Sequence, residues 1–235
     1  MGKIVFFSGA GLSAPSGLST FRDNDGLWEQ YDLDVVCNYQ TWKKNFALVH
    51  EFYNKRRMQL KEVKPNKMHE KIAEISQKYE VVNFTQNVDD LLERAGCKDV
   101  IHLHGELLKL HCTNCDYKIN FNLDDDLEFK ITKCPKCNDK FIKPSIVFFG
   151  EFAPFYDILY TEFANLEKDD LVFIIGTSGA VINIRYLLRH SKAKAILINL
   201  ERNQYIDESL FDKVIYKSCD ECVDEVEQIV KEWKS

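Results

Sequence analysis

The sequence predicts an α/β fold built on a parallel sheet, and three observations carry that reading. Short apolar runs recur at 3–7 (KIVFF), 81–84 (VVNF), 171–175 (LVFII), 195–199 (AILIN) and 214–216 (VIY), separated by segments of helical periodicity. Several are apolar on consecutive residues, as strands covered by helices on both faces must be. Polar and glycine residues gather directly after them, as SGAG, TQN, GTSG and LERN. Open parallel sheets bind ligands beyond the carboxyl ends of their strands, so these four segments mark one cleft.

Two stretches interrupt the pattern. Residues 30–67 read as helix and loop, and residues 106–143 carry paired cysteines in a charged, strand-poor segment. The expected organisation is one unit over 1–235. A Rossmann-like large lobe takes about 1–29, 68–105 and 144–235; a smaller helical and zinc-ribbon lobe is formed by the two insertions.

The 235 residues are 45% hydrophobic, enough to bury a core without stapling. Lys and Arg total 31 against 37 Asp and Glu, a formal charge of −6 that weighs against nucleic acid as the main ligand. No apolar run approaches the roughly 18 residues a membrane span needs. Met1 leads directly into the first strand-like run, so neither a targeting peptide nor a membrane segment is expected. These features predict a cytoplasmic chain, with a compact monomer as the default.

After the first strand stand Gly9, Ala10 and Gly11, then Ser13 and Gly17. Glycines there let the backbone approach a pyrophosphate, and the N-terminus of a following helix would supply positive potential. The dinucleotide fingerprint is incomplete, because position 14 is Ala and no acidic residue follows a second strand at the ribose-binding distance. A tight strand-to-helix turn explains the same residues. Asn87 and Asp89, after Thr85 and Gln86, could orient an amide or a ribose, or simply make turns and caps. His102 and His104 both suit a general base near neutral pH. Two residues apart on an extended stretch, they point to the same side, and spacing does not choose between them.

The cysteines are more specific. Cys112-x-x-Cys115 and Cys134-x-x-Cys137 are separated by 18 residues, the pattern of a four-thiolate zinc ribbon. Four thiolates close the tetrahedron without a place for water, so this zinc is expected to be structural. Cys219 and Cys222 lack a matching second pair, and Cys37 and Cys97 are isolated; these four are read as ordinary thiols. One more pattern stands out. Trp42, Phe46, Val49, Tyr53, Arg56 and Leu60 fall on one helical face, with Arg56 where an apolar residue is expected. An arginine there either snorkels to water or meets an anion, and Tyr53 one turn earlier could join it in holding a carboxylate.

Taken together, GAGLSAPSGLSTFRDNDGLW (9–28), TQNVDDLLERAG (85–96), HLHGEL (102–107), the two CxxC pairs, KPSIVFFGE (143–151), GTSGAV (176–181) and INLE (198–201) closely resemble the sirtuin family. The resemblance covers essentially the whole chain. It implies NAD as co-substrate, bound by the 9–28 loop (Gly9, Ala10, Gly11, Ser13, Phe21, Arg22 and Trp28) and by Gln86, Asn87, Val88 and Asp89 at the nicotinamide. Gly176, Thr177 and Ser178 would hold the phosphate and ribose region, with Asn199, Leu200, Glu201 and Cys219 at the adenosine half. It also implies the reaction. The amide oxygen of an acyl-lysine in a protein or peptide attacks the nicotinamide ribose, nicotinamide leaves, and a base activates a ribose hydroxyl toward the imidate. In the family's L-H-G motif that base is His104, with Asn87 as its catalytic companion.

Within the family, Phe52-Tyr53-Asn54-Lys55-Arg56-Arg57 is similar to the class III branch that removes acidic acyl groups, so Tyr53 and Arg56 are expected to favour succinyl-, malonyl- or glutaryl-lysine. A general lysine deacetylase, an NAD-consuming ADP-ribosyltransferase or NADase, and a non-enzymatic NAD-binding scaffold are the alternatives. The chain departs from the family pattern at Ser19, Asp23, Leu92, Lys143 and Gly179.

Overall fold

In chain order the strands are β1 (Ile4–Ser8), β2 (Val81–Thr85), β3 (Ile101–His102), β4 (Gly105–Cys112), β5 (Lys118–Asn120), β6 (Ile142–Ile146), β7 (Leu171–Ile175), β8 (Lys194–Asn199) and β9 (Lys213–Tyr216). The helices are α1 (Leu33–Val36), α2 (Phe46–Glu62), α3 (Lys67–Ser76), α4 (Leu91–Ala95), α5 (Tyr156–Ala164), α6 (Ile184–Leu188) and α7 (Val223–Lys234). This computed structural model describes residues 2–18, 31–130 and 132–234. Among them no helix is long and apolar enough to cross a membrane.

Six strands form one parallel sheet in the order β3-β2-β1-β7-β8-β9. Its apolar runs are explained by what covers them. Ile4, Phe6, Phe173 and Ile175 face α3 and α7, packing with Met68, Ile72, Val226 and Ile229. Val5, Phe7, Val172 and Ile174 face the other way, onto Leu159 and Phe163 of α5 and Ile184 and Leu187 of α6. Alternate residues of each strand therefore enter two separate cores, and both sets must be apolar.

The expectation for the cysteine segment needs correcting. Rather than being strand-poor, it belongs to an antiparallel sheet of order β5-β4-β6. Lys109, His111, Lys118 and Lys143 lie on these strands and mask the apolar alternation that would have revealed them. The helical face also differs. Trp42 precedes α2, in a turn where its ring is buried, and the buried side of α2 also includes His50, Phe52 and Arg57. Arg57 is enclosed because its guanidinium donates to Leu127 O at 2.8 Å and to the Asn54 side chain while lying over the Phe121 ring. It fastens α2 to the segment before the second cysteine pair. Val49, Phe52, Tyr53 and Leu60 pack with Leu107, Ile146 and Phe148, so α2 rests on β4 and β6.

Candidate active site

The parallel sheet reverses its strand order between β1 and β7, and the chain crosses there with almost no space. Gly11 N donates to Gly176 O at 2.8 Å, and Gly176 N donates to Ile198 O at 2.8 Å. A Cβ on Gly11 would lie 2.6 Å from Gly176 Cα. Gly176 has φ +61° and would place a Cβ 2.4 Å from Leu12 N. No other residue fits either position, so the loops after β1 and β7 are held against each other by the absence of side chains. The expected α-helix does not directly follow β1; two 3₁₀ turns, Ala10–Leu12 and Ala14–Ser16, take its place.

A polar network ties these loops to the residues after β2. Asn87 Nδ2 donates to Gly9 O and to Ser13 Oγ, both at 3.1 Å. Ser13 Oγ donates to Asp89 Oδ2 at 2.9 Å. Burial pushes the Asp89 carboxyl up, opposed by that serine and by Leu91 N–H. Gln86 Nε2 donates to Thr177 Oγ1 at 2.9 Å, and Asn199 Nδ2 donates to Thr177 O at 2.9 Å. Cys219 lies beneath, its thiol 3.6 Å from both Gly11 O and Leu12 O. The structure thus brings together Gly9, Gly11, Ser13, Gln86, Asn87, Asp89, Gly176, Thr177, Asn199 and Cys219. Ala10, Val88 and Ser178 sit between them in the chain, and Leu200 and Glu201 continue from β8 as exposed residues. Phe21, Arg22 and Trp28, with Ser19 and Asp23, lie outside the described residues.

Two contributors to this network carried no sequence signal. Asn66 caps α3, accepting from Met68 N and His69 N, while its amide donates to Leu12 O at 2.7 Å. His69 Nδ1 accepts from Asn66 N at 3.2 Å, which leaves Nε2 protonated and facing Ser13 Oγ at 3.5 Å. Burial lowers the His69 pKa to about 4, so the ring is neutral. A capping residue and a buried histidine look structural in sequence; here they fix the loop after β1.

Hydrogen bonds separate the two histidines that spacing left equivalent. His102 places Nδ1 2.9 Å from Asn87 O and Nε2 2.7 Å from Glu93 Oε1. Both nitrogens face acceptors. Burial works against its charge, but the Glu93 carboxylate, the Asn87 carbonyl and Glu106 together outweigh burial and raise the pKa. His104 instead donates from Nδ1 to Gln86 O at 3.1 Å, and burial lowers its pKa. Its Nε2 keeps a lone pair, which meets the Tyr156 hydroxyl at 2.8 Å. Only His104 offers a basic nitrogen.

On the other side of the cleft, Tyr53 is buried, stacks on Phe148 at 5.7 Å and has its hydroxyl 3.4 Å from Cys37 Sγ. Arg56, one turn along α2, is partly enclosed. Burial lowers its pKa, opposed by the neighbouring Tyr53, Cys37 and Asp89. Lys143, a departure in the sequence, is buried and paired with Glu151 at 2.8 Å, its ammonium over the Phe148 ring. That pair positions the ring on which Tyr53 stacks.

The cysteine site fits zinc. Sγ atoms of Cys112, Cys115, Cys134 and Cys137 lie within 4.8 Å of one another, with Cys112–Cys137 and Cys115–Cys134 at 3.6 Å. Tetrahedral Zn–S bonds of about 2.3 Å require S···S edges of about 3.8 Å. The four sulfurs fill the coordination sphere, so zinc here is structural.

A parallel sheet with glycine loops at its reversal point and a four-thiolate site beside it defines an α/β nucleotide-binding class of protein. The sequence profile of the Sir2 family matches residues 9–183. An NAD-dependent protein deacylase of Helicobacter hepaticus is 45% identical, with 99% of each chain covered. One from Pyrococcus furiosus is 38% identical over 84% of this chain and 81% of its own. Among solved structures, a Sir2 homologue in complex with NAD superposes with a TM-score of 0.85 at 31% identity, covering 99% of this chain and 91% of that one. A mutant Sir2 homologue bound to 2′-O-acetyl ADP-ribose gives 0.84 at 31% identity, covering 98% and 92%. The chain belongs to the Sir2 family.

Proposed function

We propose that this Sir2-family protein, an NAD-dependent protein deacylase, prefers lysines carrying acidic acyl groups such as succinyl, malonyl or glutaryl. The observation that supports the preference is the placement of Arg56 one helical turn from the buried Tyr53 phenol on α2. A guanidinium fork with a phenol one turn away can meet both oxygens of a carboxylate. NAD would lie across the loops after β1, β2, β7 and β8, where the glycines let its phosphates approach the backbone and Asn87 and Asp89 meet the nicotinamide end. His104 Nε2 takes the proton of the ribose hydroxyl that attacks the acyl carbon, and its Nδ1–H stays on Gln86 O. Residues 30–67 and 106–143 act as the smaller lobe, supplying Tyr53 and Arg56 to the cleft.

The test compares one peptide carrying succinyl-lysine with the same peptide carrying acetyl-lysine, followed by mass spectrometry with NAD present. Faster loss of succinyl, abolished in Arg56→Met while acetyl removal survives, is the expected result. Acetyl removal as fast as succinyl removal refutes the preference and makes the protein a general deacetylase. Nicotinamide release without any acyl-lysine would instead favour NAD hydrolysis or ADP-ribosyl transfer.

A further inference from the structure

The Tyr156–His104 hydrogen bond is not required by the acyl-transfer chemistry. Tyr156 is the first residue of α5, and its hydroxyl stands 2.8 Å from His104 Nε2. Gln86 O only accepts, so the proton of the neutral ring sits on Nδ1 and Nε2 carries the lone pair. The tyrosine O–H therefore donates into the very electron pair that a base must use. An sp² ring nitrogen has one such pair, lying in the ring plane, and two donors cannot both align with it. The ribose hydroxyl that gives its proton to His104 needs the same position.

We propose that Tyr156 is a positioning residue that occupies the proton-accepting nitrogen of His104 in the free enzyme and is displaced from it by the ribose hydroxyl when NAD and acyl-lysine are both bound. The inference rests on the reading of His104 as the base. In the free protein the bond gives Nε2 of the half-buried ring a partner within the protein, and it holds the imidazole plane toward the cleft. The segment before Tyr156 is open to solvent beyond Glu151. Gly150 has φ +81° with nothing within 4 Å of its Cβ position, Phe152 is 77% exposed, and the Phe155 cap of α5 makes no side-chain bond. The phenol ring itself is kept in place by edge contact with Tyr160, which in turn packs edge-on against Tyr186. Because the phenol oxygen is rigid in the ring plane, releasing Nε2 takes a tilt of the whole ring against those edge contacts.

Tyr156→Phe keeps the ring and removes the donor. The variant is compared with the unaltered protein in steady-state deacylation of one acyl-lysine peptide, with NAD varied and peptide saturating. Losing a competitor worth one neutral hydrogen bond raises kcat/KM for NAD by about 2- to 10-fold, with the gain carried by KM. A simple packing role for Tyr156 would leave kcat/KM unchanged or lower it through instability, and either result overturns the proposal. A fall of about 10-fold or more in a folded variant overturns it too, since the tyrosine would then be relaying the proton. A second measurement does not depend on the variant folding: the ¹⁵N resonance of His104 Nε2 in the unaltered protein. It is expected to change when NAD and a slowly reacting thioacyl-lysine peptide are added together; no change refutes displacement. His104→Ala in the same kinetic assay separates the two readings. If that variant still deacylates, His104 is not the base, whatever Tyr156→Phe does.

Discussion

Lys143→Met isolates the ion pair beneath the Phe148 ring on which Tyr53 stacks. Lys143 is 1% exposed and its ammonium has four partners: Glu151 Oε2 at 2.8 Å, Ile146 O at 2.5 Å, Pro144 O at 3.3 Å and the Phe148 ring at 3.8 Å. Methionine keeps most of the length and the apolar stem but leaves two carbonyls and a carboxylate without their cation. Removing one member of a buried pair costs about 3–5 kcal/mol. Glu151 retains 21% exposure and still accepts from Phe148 N at 2.9 Å, which puts the cost at the lower end, about 3 kcal/mol. For a chain of this size that is a fall of roughly 6–12 °C in Tm. Calorimetry with and without Glu151→Gln checks the cause. The double variant should lose clearly less than the sum of the two singles, because neither charge is then left alone. A fall of under about 2 °C, or strict additivity, would refute the argument that this pair holds Phe148 against Tyr53.

The remaining predictions concern protons and metal. His104→Ala should abolish deacylation while NAD still binds, as titration calorimetry would show; loss of binding would make His104 a ligand-contact residue instead. Because burial lowers the His104 pKa, the acid limb of the pH–rate profile should fall below the ordinary histidine value of about 6.5, and a limb at or above it counts against a neutral buried base. His102 behaves oppositely. Its folded pKa is raised, so its contribution to stability is complete below about pH 6.5 and is lost as pH climbs through the folded value. Glu93→Gln should flatten that part of the urea-midpoint profile, and an unaltered profile would show that the pair does not control it. Stripping zinc with a chelator should remove hydrogen-exchange protection from β4 and β6 before β1 and β7, since Cys112 and Cys134 share a core with Leu110, Phe129 and Ile142. Simultaneous loss across both sheets would mean that the metal holds the whole chain.

The parallel sheet was legible because both of its faces are buried. Every residue of β1 and β7 is enclosed, so hydrophobicity alone marks them in sequence. β3 and β5 were not legible for the opposite reason. They have two and three residues, too short to display a period, and β5 alternates exposed and half-buried positions. α2 was found by its period, but its edges were misplaced because Trp42 is buried from a turn that happens to keep the helical spacing. Arg57 escaped notice because periodicity assigns charged residues to the surface, whereas the Leu127 carbonyl and the Phe121 ring enclose this one.

The site divides along the same line. Residues that follow strands could be located from sequence, since a parallel sheet delivers all its carboxyl ends to one edge and reading the strands also reads the cleft. Residues that reach the site from elsewhere could not. Tyr156 is 52 positions from His104, and His69 is 56 from Ser13; neither belongs to a pattern with the partner it touches. The choice between His102 and His104 shows what was missing. On the chain they differ by two residues on an extended stretch, but in the fold one faces a carboxylate and a carbonyl, and the other a carbonyl and a hydroxyl. A hydroxyl can donate, so it leaves a neutral imidazole stable where a second acceptor would draw it into the charged form. The difference between the two histidines therefore lies in the partners that α4 and α5 bring to them, and those partners are set by packing over long chain separations, not by local spacing.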